Sequence, residues 1–479
     1  MCLVAFGCSV ERPAAPDTRP DLILITVDTL RADHVGPWRG WLAGASGPVV
    51  VDTPAMDAFA ADSLVFREAF SAVPITTASL GSMLTGRLPR HHGALNNTDD
   101  LDPSVPTVTM ALRESGYETA AFLPSLLANK DGFRRGFETY VFPERADEFW
   151  AGEEVVRRAL DFLDSRGAAR QAKPLFLWVH LLDPHSPYDP GEELEAKYLA
   201  GIEHPAKLPE RLRHEFIAGA PAPSARDLDV IRALYRGDVE RTDRALAPLL
   251  TRIEKTLVGE RESYTLFTAD HGELLGEHEG YVGHTGWLYE EMLRVPFWVH
   301  SSRGRDAGEV WDYPAFGTDV GPTLLALADD DFLDAEVARI LATGDGALPL
   351  LDPEVRVHLR RLKTEGKSER IRQRMLVSES FAPEGFFDQR AARLGGVKWI
   401  VGTAAERPTA RFDLDADPRE GEDLSSSLMG TVDAFGLLEG LLKNWEEKHG
   451  AVGDATRFEV PVDAASRDAL DKLGYGGGR

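Results

Sequence analysis

Short runs of apolar, largely β-branched residues punctuate the chain, each ending in an ionisable side chain: Asp21 to Asp28 (Asp-Leu-Ile-Leu-Ile-Thr-Val-Asp), Lys173 to Asp183, Tyr264 to His271 and Val295 to His300. Runs of this length, apolar at successive positions instead of alternate ones, predict strands buried on both faces. Between them the apolar spacing turns helical, over Thr107 to Ser115 before Gly116, Val155 to Ser165, Leu228 to Ile253 and Val320 to Ala328. Strands alternating with helices predict a large, mostly parallel sheet sandwiched by helices, with ligands at the carboxyl ends of the strands. Asp28, Asp183, Asp270 and His271 fall at those ends.

The pattern changes after about residue 335. Residues 336–372 read as a charged connection, with Arg356 to Lys363 as an exposed helix flanked by acids. Gln373 to Ser380, Ala391 to Val401 and Ala410 to Pro418 then read as short strands separated by turns, and Met429 to His449 as a helix packed on them. The expected fold is therefore α/β: a large domain over 21–335 and a small C-terminal subdomain with an antiparallel sheet over 373–475. Residues 1–20 stand apart, and Gly474 to Arg479 read as a frayed end.

The formal net charge of −25 over 479 residues, with no block of Lys and Arg, excludes a basic surface of the kind that holds nucleic acid. The only cysteines, Cys2 and Cys8, lie ahead of the folded body, so no internal disulfide braces it. The run Met1 to Ser9, with its Gly7-Cys8 step and the Pro-rich stretch to Pro20, is like the end of a bacterial lipoprotein signal. That reading predicts export and a lipid anchor at Cys8, at the periplasm or cell envelope; a ragged N-terminus of a cytoplasmic protein is the alternative. No later segment has the ~20 uninterrupted apolar residues of a membrane helix.

The chemistry gathers on a few motifs: Val27-Asp28-Thr29-Leu30-Arg31-Ala32-Asp33-His34; Pro74-Ile75-Thr76-Thr77-Ala78-Ser79-Leu80 running on to Gly86-Arg87; Asp183-Pro184-His185-Ser186-Pro187-Tyr188; Asp270-His271-Gly272-Glu273 running on to Glu277-His278; and Tyr289-Glu290-Glu291 with Arg294-Val295-Pro296. In this order and spacing the chain resembles the sulfatases of the alkaline phosphatase superfamily over about residues 20 to 425. In that family a Cys or Ser opens the pattern C/S-x-P/A-x-R and is oxidised to formylglycine. Here that place is Thr76 and the Arg is Leu80. Threonine cannot become formylglycine, so the expected nucleophile is an ordinary hydroxyl activated by a divalent cation.

The resemblance implies a metal held by Asp28, Thr76, Asp270 and His271. Three oxygen donors and one imidazole suit Zn²⁺ or Mn²⁺ better than Ca²⁺, because Thr29 replaces a second Asp and His271 stands where calcium sulfatases often carry Asn. By resemblance His185 and His284 bind the ester oxygens or protonate the leaving group, and Asp183 could join them around a second metal. The plainer alternative for Asp28, Asp270 and His271 is helix capping after buried strands, and for each His a single structural hydrogen bond. Ser79 reads as the cap of the helix after Thr76, Thr77 as packing, Arg87 as an anchor of that helix, Glu273, Glu277 and His278 as a solvated loop, and His91 and His92 as turn residues.

The expected function is hydrolysis of a sulfate, phosphate or phosphonate ester in an anionic small molecule, lipid or glycan, through Thr76. The alternatives are a phosphotransferase acting on lipid or glycan head groups and an inactive sulfatase-like binding protein. Specificity is expected in loops such as Asp189 to Leu228, which carry no readable period.

Overall fold

Strand Asp21–Val27 is buried along its whole length and lies inside an eight-stranded sheet. The computed structural model describes residues 17–43, 47–125, 130–145, 148–166, 173–214, 223–256, 261–328, 347–365, 374–381, 388–402, 409–426, 432–450 and 455. Cys8 and the proposed anchor, and the expected frayed end at Gly474, lie outside these residues. Across the sheet the strands run Val310–Trp311, Leu64–Phe66, Phe297–Ser301, Ser263–Ala269, Asp21–Val27, Leu175–Leu181, Glu118–Phe122 and Thr139–Val141. All neighbours are parallel except around Phe297–Ser301, which is antiparallel to both of its partners. The chain between Ala269 and Phe297 forms no long crossover helix and returns beside the strand it left, as an antiparallel connection permits.

The helices pack in two groups. Pro54–Ala61 and Gly152–Ser165 gather around the long helix Ala225–Thr256, while Thr76–Thr85, Val108–Glu114 and Val320–Ala328 pack on one another. Aromatic residues fill the sheet: Phe267 and Trp298, on adjacent strands, stack at 4.0 Å and 3°.

The C-terminal subdomain is a four-stranded antiparallel sheet, Leu376–Ser380, Gln389–Leu394, Val397–Gly402 and Ala410–Asp413, with helix Val432–His449 against it. Period-two alternation divides its two faces. Leu376, Ala391, Ile400 and Phe412 join Phe70, Leu293 and Phe316 of the large domain, while Val377, Ala392 and Val397 meet Phe435, Leu438 and Leu442 of the helix.

Buried ion pairs tie the two parts together. Arg374 holds Asp319 through both guanidinium nitrogens, at 2.5 and 2.7 Å. Glu290 is met by Arg294, Arg393 and Lys398, and those cations hold its carboxyl far below the usual range despite its burial. The expected exposed connection is also docked: in helix Pro353–Thr364, Val355 and Leu359 are buried, and Arg360 reaches Asp306 at 2.6 Å.

Candidate active site

Parallel pairing places Val27 level with both Ala269 and Leu181, so the residues that follow emerge together at one edge of the sheet. Asp28 and Asp270 are therefore neighbours, with His271 next in the chain, and all three are fully buried. Thr76 enters from another layer. Ile75 is extended and Thr76 begins helix Thr76–Thr85, which brings its hydroxyl over the strand ends.

Thr76 Oγ1 lies 3.4 Å from Asp28 Oδ2 and 3.5 Å from His271 Nε2. His271 Nε2 is 3.8 Å from Asp28 Oδ1 and 3.6 Å from Asp270 Oδ2. The tautomer of His271 follows from its other nitrogen. Nδ1 lies 3.0 Å from the Gly272 carbonyl, which can only accept, so Nδ1 carries the proton and Nε2 turns a lone pair to the carboxylates.

The two carboxylates are a strained pair. Burial raises the pKa of both, and the charge of Asp270 raises that of Asp28 further. Asp270 Oδ1 accepts from the amides of His271 (2.8 Å) and Thr29 (3.2 Å), but Asp28 Oδ1 and Asp270 Oδ2 have no hydrogen-bond partner among the described residues. Buried carboxylate oxygens without donors, converging with an imidazole lone pair and a hydroxyl, are what a divalent cation would satisfy. The residues fit the metal the sequence implies.

Thr29 is held with φ at 52°, a left-handed conformation rare for a β-branched residue. Its carbonyl accepts from Tyr235 Oη at 2.7 Å and its amide donates to Asp270, which fixes the turn that carries Asp28 into the site.

His185 and His284 stand beside this centre. The ring of His284 is 4.5 Å from that of His271 and 4.9 Å from that of His185. His185 Nδ1 donates to the Ser186 carbonyl, leaving its Nε2 lone pair free of the proton. Behind His284 is Glu273: its Oε1 is 3.6 Å from His284 Nδ1, and Tyr188 Oη donates to its Oε2 at 2.6 Å.

Several expectations are corrected here. Glu273 is fully buried inside the site, not in a solvated loop. Glu277 is ion-paired with Arg31 at 2.7 Å, and His278 Nε2 lies 3.2 Å from Glu291 Oε2. Asp183 does not join His185 and His284 around a second metal: its Oδ2 accepts from the amide of Gly152 at 2.8 Å, at the start of helix Gly152–Ser165, and its Oδ1 is 3.9 Å from Arg241.

Ser79 does not cap the helix after Thr76. It lies one turn in, and its hydroxyl donates to the Asp270 carbonyl at 2.7 Å, while Asn97 Oδ1 takes the amide of Thr77 at 2.9 Å and serves as the cap from outside. Arg87 is exposed. The helix is anchored instead by His92, a fully buried residue whose Nε2 is 3.1 Å from both the Ala78 carbonyl and Ser82 Oγ. Gly81 permits that approach, since a Cβ there would lie 2.9 Å from His92 Cε1.

Three residues absent from the sequence reading join the site. Asn97 is one. Lys130 is another: its ammonium lies 3.4 Å from Thr77 Oγ1, beside the expected nucleophile, with its pKa lowered by burial to about 8. The third is His180, a ring nitrogen of which lies within 4.8 Å of carboxylate oxygens of both Asp28 and Asp270. The signal available for it was a His at the end of an apolar strand beside two strands ending in Asp.

A parallel sheet that gathers carboxylates, an imidazole and a hydroxyl at its carboxyl edge defines the alkaline-phosphatase-like hydrolases. The sequence profile of the sulfatase family matches residues 20–330. The chain is 25% identical over 384 residues to an arylsulfatase of Clostridium perfringens, covering 65% of this chain and 75% of that one. It is also 25% identical over 503 residues to the multifunctional alkaline phosphatase superfamily protein PehA of Trinickia caryophylli, covering 85% and 91%. Among solved structures, the phosphonate monoester hydrolase of Agrobacterium radiobacter superposes with a TM-score of 0.63 at 19% identity, over 90% of this chain and 96% of that one. The chain belongs to the sulfatase family, a metal-dependent group of sulfuric and phosphoric ester hydrolases.

Proposed function

We propose that this protein hydrolyses a phosphate, phosphonate or sulfate ester with Thr76 as the nucleophile. The observation that carries the reading is the position of Thr76 Oγ1, 3.4 Å from Asp28 Oδ2 and 3.5 Å from His271 Nε2, beside two buried carboxylate oxygens that have no donor among the described residues. A divalent cation, Zn²⁺ or Mn²⁺ before Ca²⁺ on this donor set, held by Asp28, Thr76, Asp270 and His271, would supply Lewis acidity and neutralise charge on the ester oxygens.

The protein's own groups account for the rest. Thr76 Oγ1 directs its proton to Asp28 Oδ2 and its lone pairs to the phosphorus or sulfur. A bond from Thr76 Oγ1 to that atom forms, the bond to the ester oxygen breaks, and the leaving alkoxide takes a proton from His284. Water then attacks the phosphorus or sulfur, giving one proton to His284 as the bond to Thr76 Oγ1 breaks, and Thr76 Oγ1 recovers its proton from Asp28. Glu273, fixed by Tyr188, orients His284 for the proton transfer. Without formylglycine, phospho- and phosphono-esters are the better fit, and the likeness to PehA and to a phosphonate monoester hydrolase supports that preference. Sulfated glycans or small molecules are the other substrate class.

The test is a panel of p-nitrophenyl sulfate, p-nitrophenyl phosphate, a phosphodiester and a phosphonate monoester, run on metal-loaded protein with Thr76→Ala as control. Turnover of a phospho-substrate that disappears in Thr76→Ala while bound metal is retained supports the reading. Turnover that survives the substitution refutes Thr76 as nucleophile; metal uptake with no turnover of any ester favours a transferase or a binding protein.

A further inference from the structure

His180 sits in the same cluster as Asp28 and Asp270, so it could serve as a second imidazole ligand or in another capacity; the proton on its ring decides. Trp178 Nε1 can only donate, and it lies 3.0 Å from Thr26 Oγ1. Thr26 Oγ1 in turn lies 2.9 Å from His180 Nδ1. All three residues are buried on adjacent strands, at 1%, 0% and 4% exposure respectively.

Thr26 Oγ1 thus has two partners, and one of them fills an acceptor position. If His180 Nδ1 also donated, the hydroxyl would hold two donors and its own hydrogen would be buried with no acceptor among the described residues. The satisfied arrangement is a relay in one direction: Trp178 gives to Thr26, and Thr26 gives to His180 Nδ1. In a neutral imidazole that puts the proton on Nε2, the nitrogen that Thr26 Oγ1 does not engage. His271 is the opposite case, because the Gly272 carbonyl takes its Nδ1 proton and leaves Nε2 bare. Two imidazoles at one centre therefore carry opposite tautomers.

We propose that His180 is a positioning residue, whose Nε2–H lies beside the Asp28–Asp270 pair and offsets its charge, and that it is not itself a ligand. The inference rests on the active-site reading above. His271 would then be the one imidazole to hold a cation there. The relay also gives a role to Thr26 and Trp178.

The experiment uses the full chain, stripped with a chelator and titrated with Mn²⁺ as the probe, with affinity read from free Mn²⁺ and the number of coordinated imidazoles from pulsed electron paramagnetic resonance. His180→Gln keeps an N–H near the position of Nε2, His180→Met fills the space without one, and Thr26→Val removes the donor that fixes the tautomer. Circular dichroism checks that each variant folds. The expected result is one coordinated imidazole in the wild type, His180→Gln within about threefold of wild-type affinity, and His180→Met and Thr26→Val weaker, the former by about 10- to 100-fold. Two coordinated imidazoles in the wild type, one of them lost in His180→Gln, would make His180 a ligand and overturn the inference. Equal affinity in His180→Met and wild type would remove the positioning role. A wild-type protein that takes up no Mn²⁺ would overturn the active-site reading, and this inference with it.

Discussion

Asp28→Asn should stabilise the metal-free protein while abolishing its response to metal. Asp28 and Asp270 place carboxylate oxygens within 4.8 Å of each other in a fully buried site. At that separation two unit charges repel by about 3.5 kcal/mol with an effective dielectric constant of about 20. The repulsion is a ceiling, because Asp28 can take up a proton instead, and its pKa is raised well above the carboxylate value by burial and by Asp270. Asparagine retains an acceptor for Thr76 and removes the charge, so stripped Asp28→Asn should gain about 1–3 kcal/mol at pH 8, or about 1–3 °C in a chain of this length.

The sign of the pH dependence follows from the raised pKa. A group protonated more readily when folded contributes stability below its unfolded pKa and loses that contribution as pH rises through the folded one. The stripped wild type should therefore fall behind the variant as pH rises from about 4, and the gap should widen. Adding Zn²⁺ at 100 times its dissociation constant should raise wild-type stability by about 2.7 kcal/mol and leave Asp28→Asn unmoved. Thermal melts of both proteins across pH, with and without Zn²⁺, read all of this. A stripped variant that melts below stripped wild type at pH 8, or one that metal still stabilises, would refute the electrostatic account of the site.

Thr76→Ala should reduce ester turnover by about 10⁴-fold or more while leaving stability within about 1 kcal/mol, since it removes one hydroxyl and one methyl at the start of a helix; kinetics and denaturant melts check the two halves. Gly272→Ala would set a Cβ 2.1 Å from the Glu291 carbonyl oxygen, next to His271, so the backbone must move. The expected cost is about 1–3 kcal/mol with weakened metal binding, measured by denaturant unfolding and metal titration. Asp319→Asn should lose about 3–5 kcal/mol by stranding the buried Arg374 guanidinium, and adding Arg374→Met should recover part of it, as a double-mutant cycle would show.

Two of the errors in the sequence reading share a cause. Ser79 and Asp183 are residue types that cap helices or hold ions, and local pattern assigns them to the nearest such task in the chain. In the fold Ser79 reaches the Asp270 carbonyl, 191 positions away, and Asp183 serves helix Gly152–Ser165, 31 positions back. His92 and Glu273 read as turn and solvated loop from local sequence, yet both are fully buried, because elements from elsewhere in the chain pack over them.

What the sequence determined by itself is the layout: short continuous apolar runs predict strands covered on both faces, parallel strands bring their ends to one edge, and the ionisable residues at those ends bring Asp28, Asp270 and His271 together. Thr76, where the resemblance expects the formylglycine residue, also set the chemical question, because a hydroxyl of that kind cannot be oxidised to the aldehyde. Tertiary structure decided which donors the site owns. The pairing of strand Asp21–Val27 with Leu175–Leu181 brings His180 to the carboxylates and Trp178 to Thr26, and the packing of residues 185–188 against 273–284 makes Glu273 a partner of His284. Hydrogen-bond direction and burial depend on contacts between segments more than 80 positions apart, and local periodicity carries no information about such contacts.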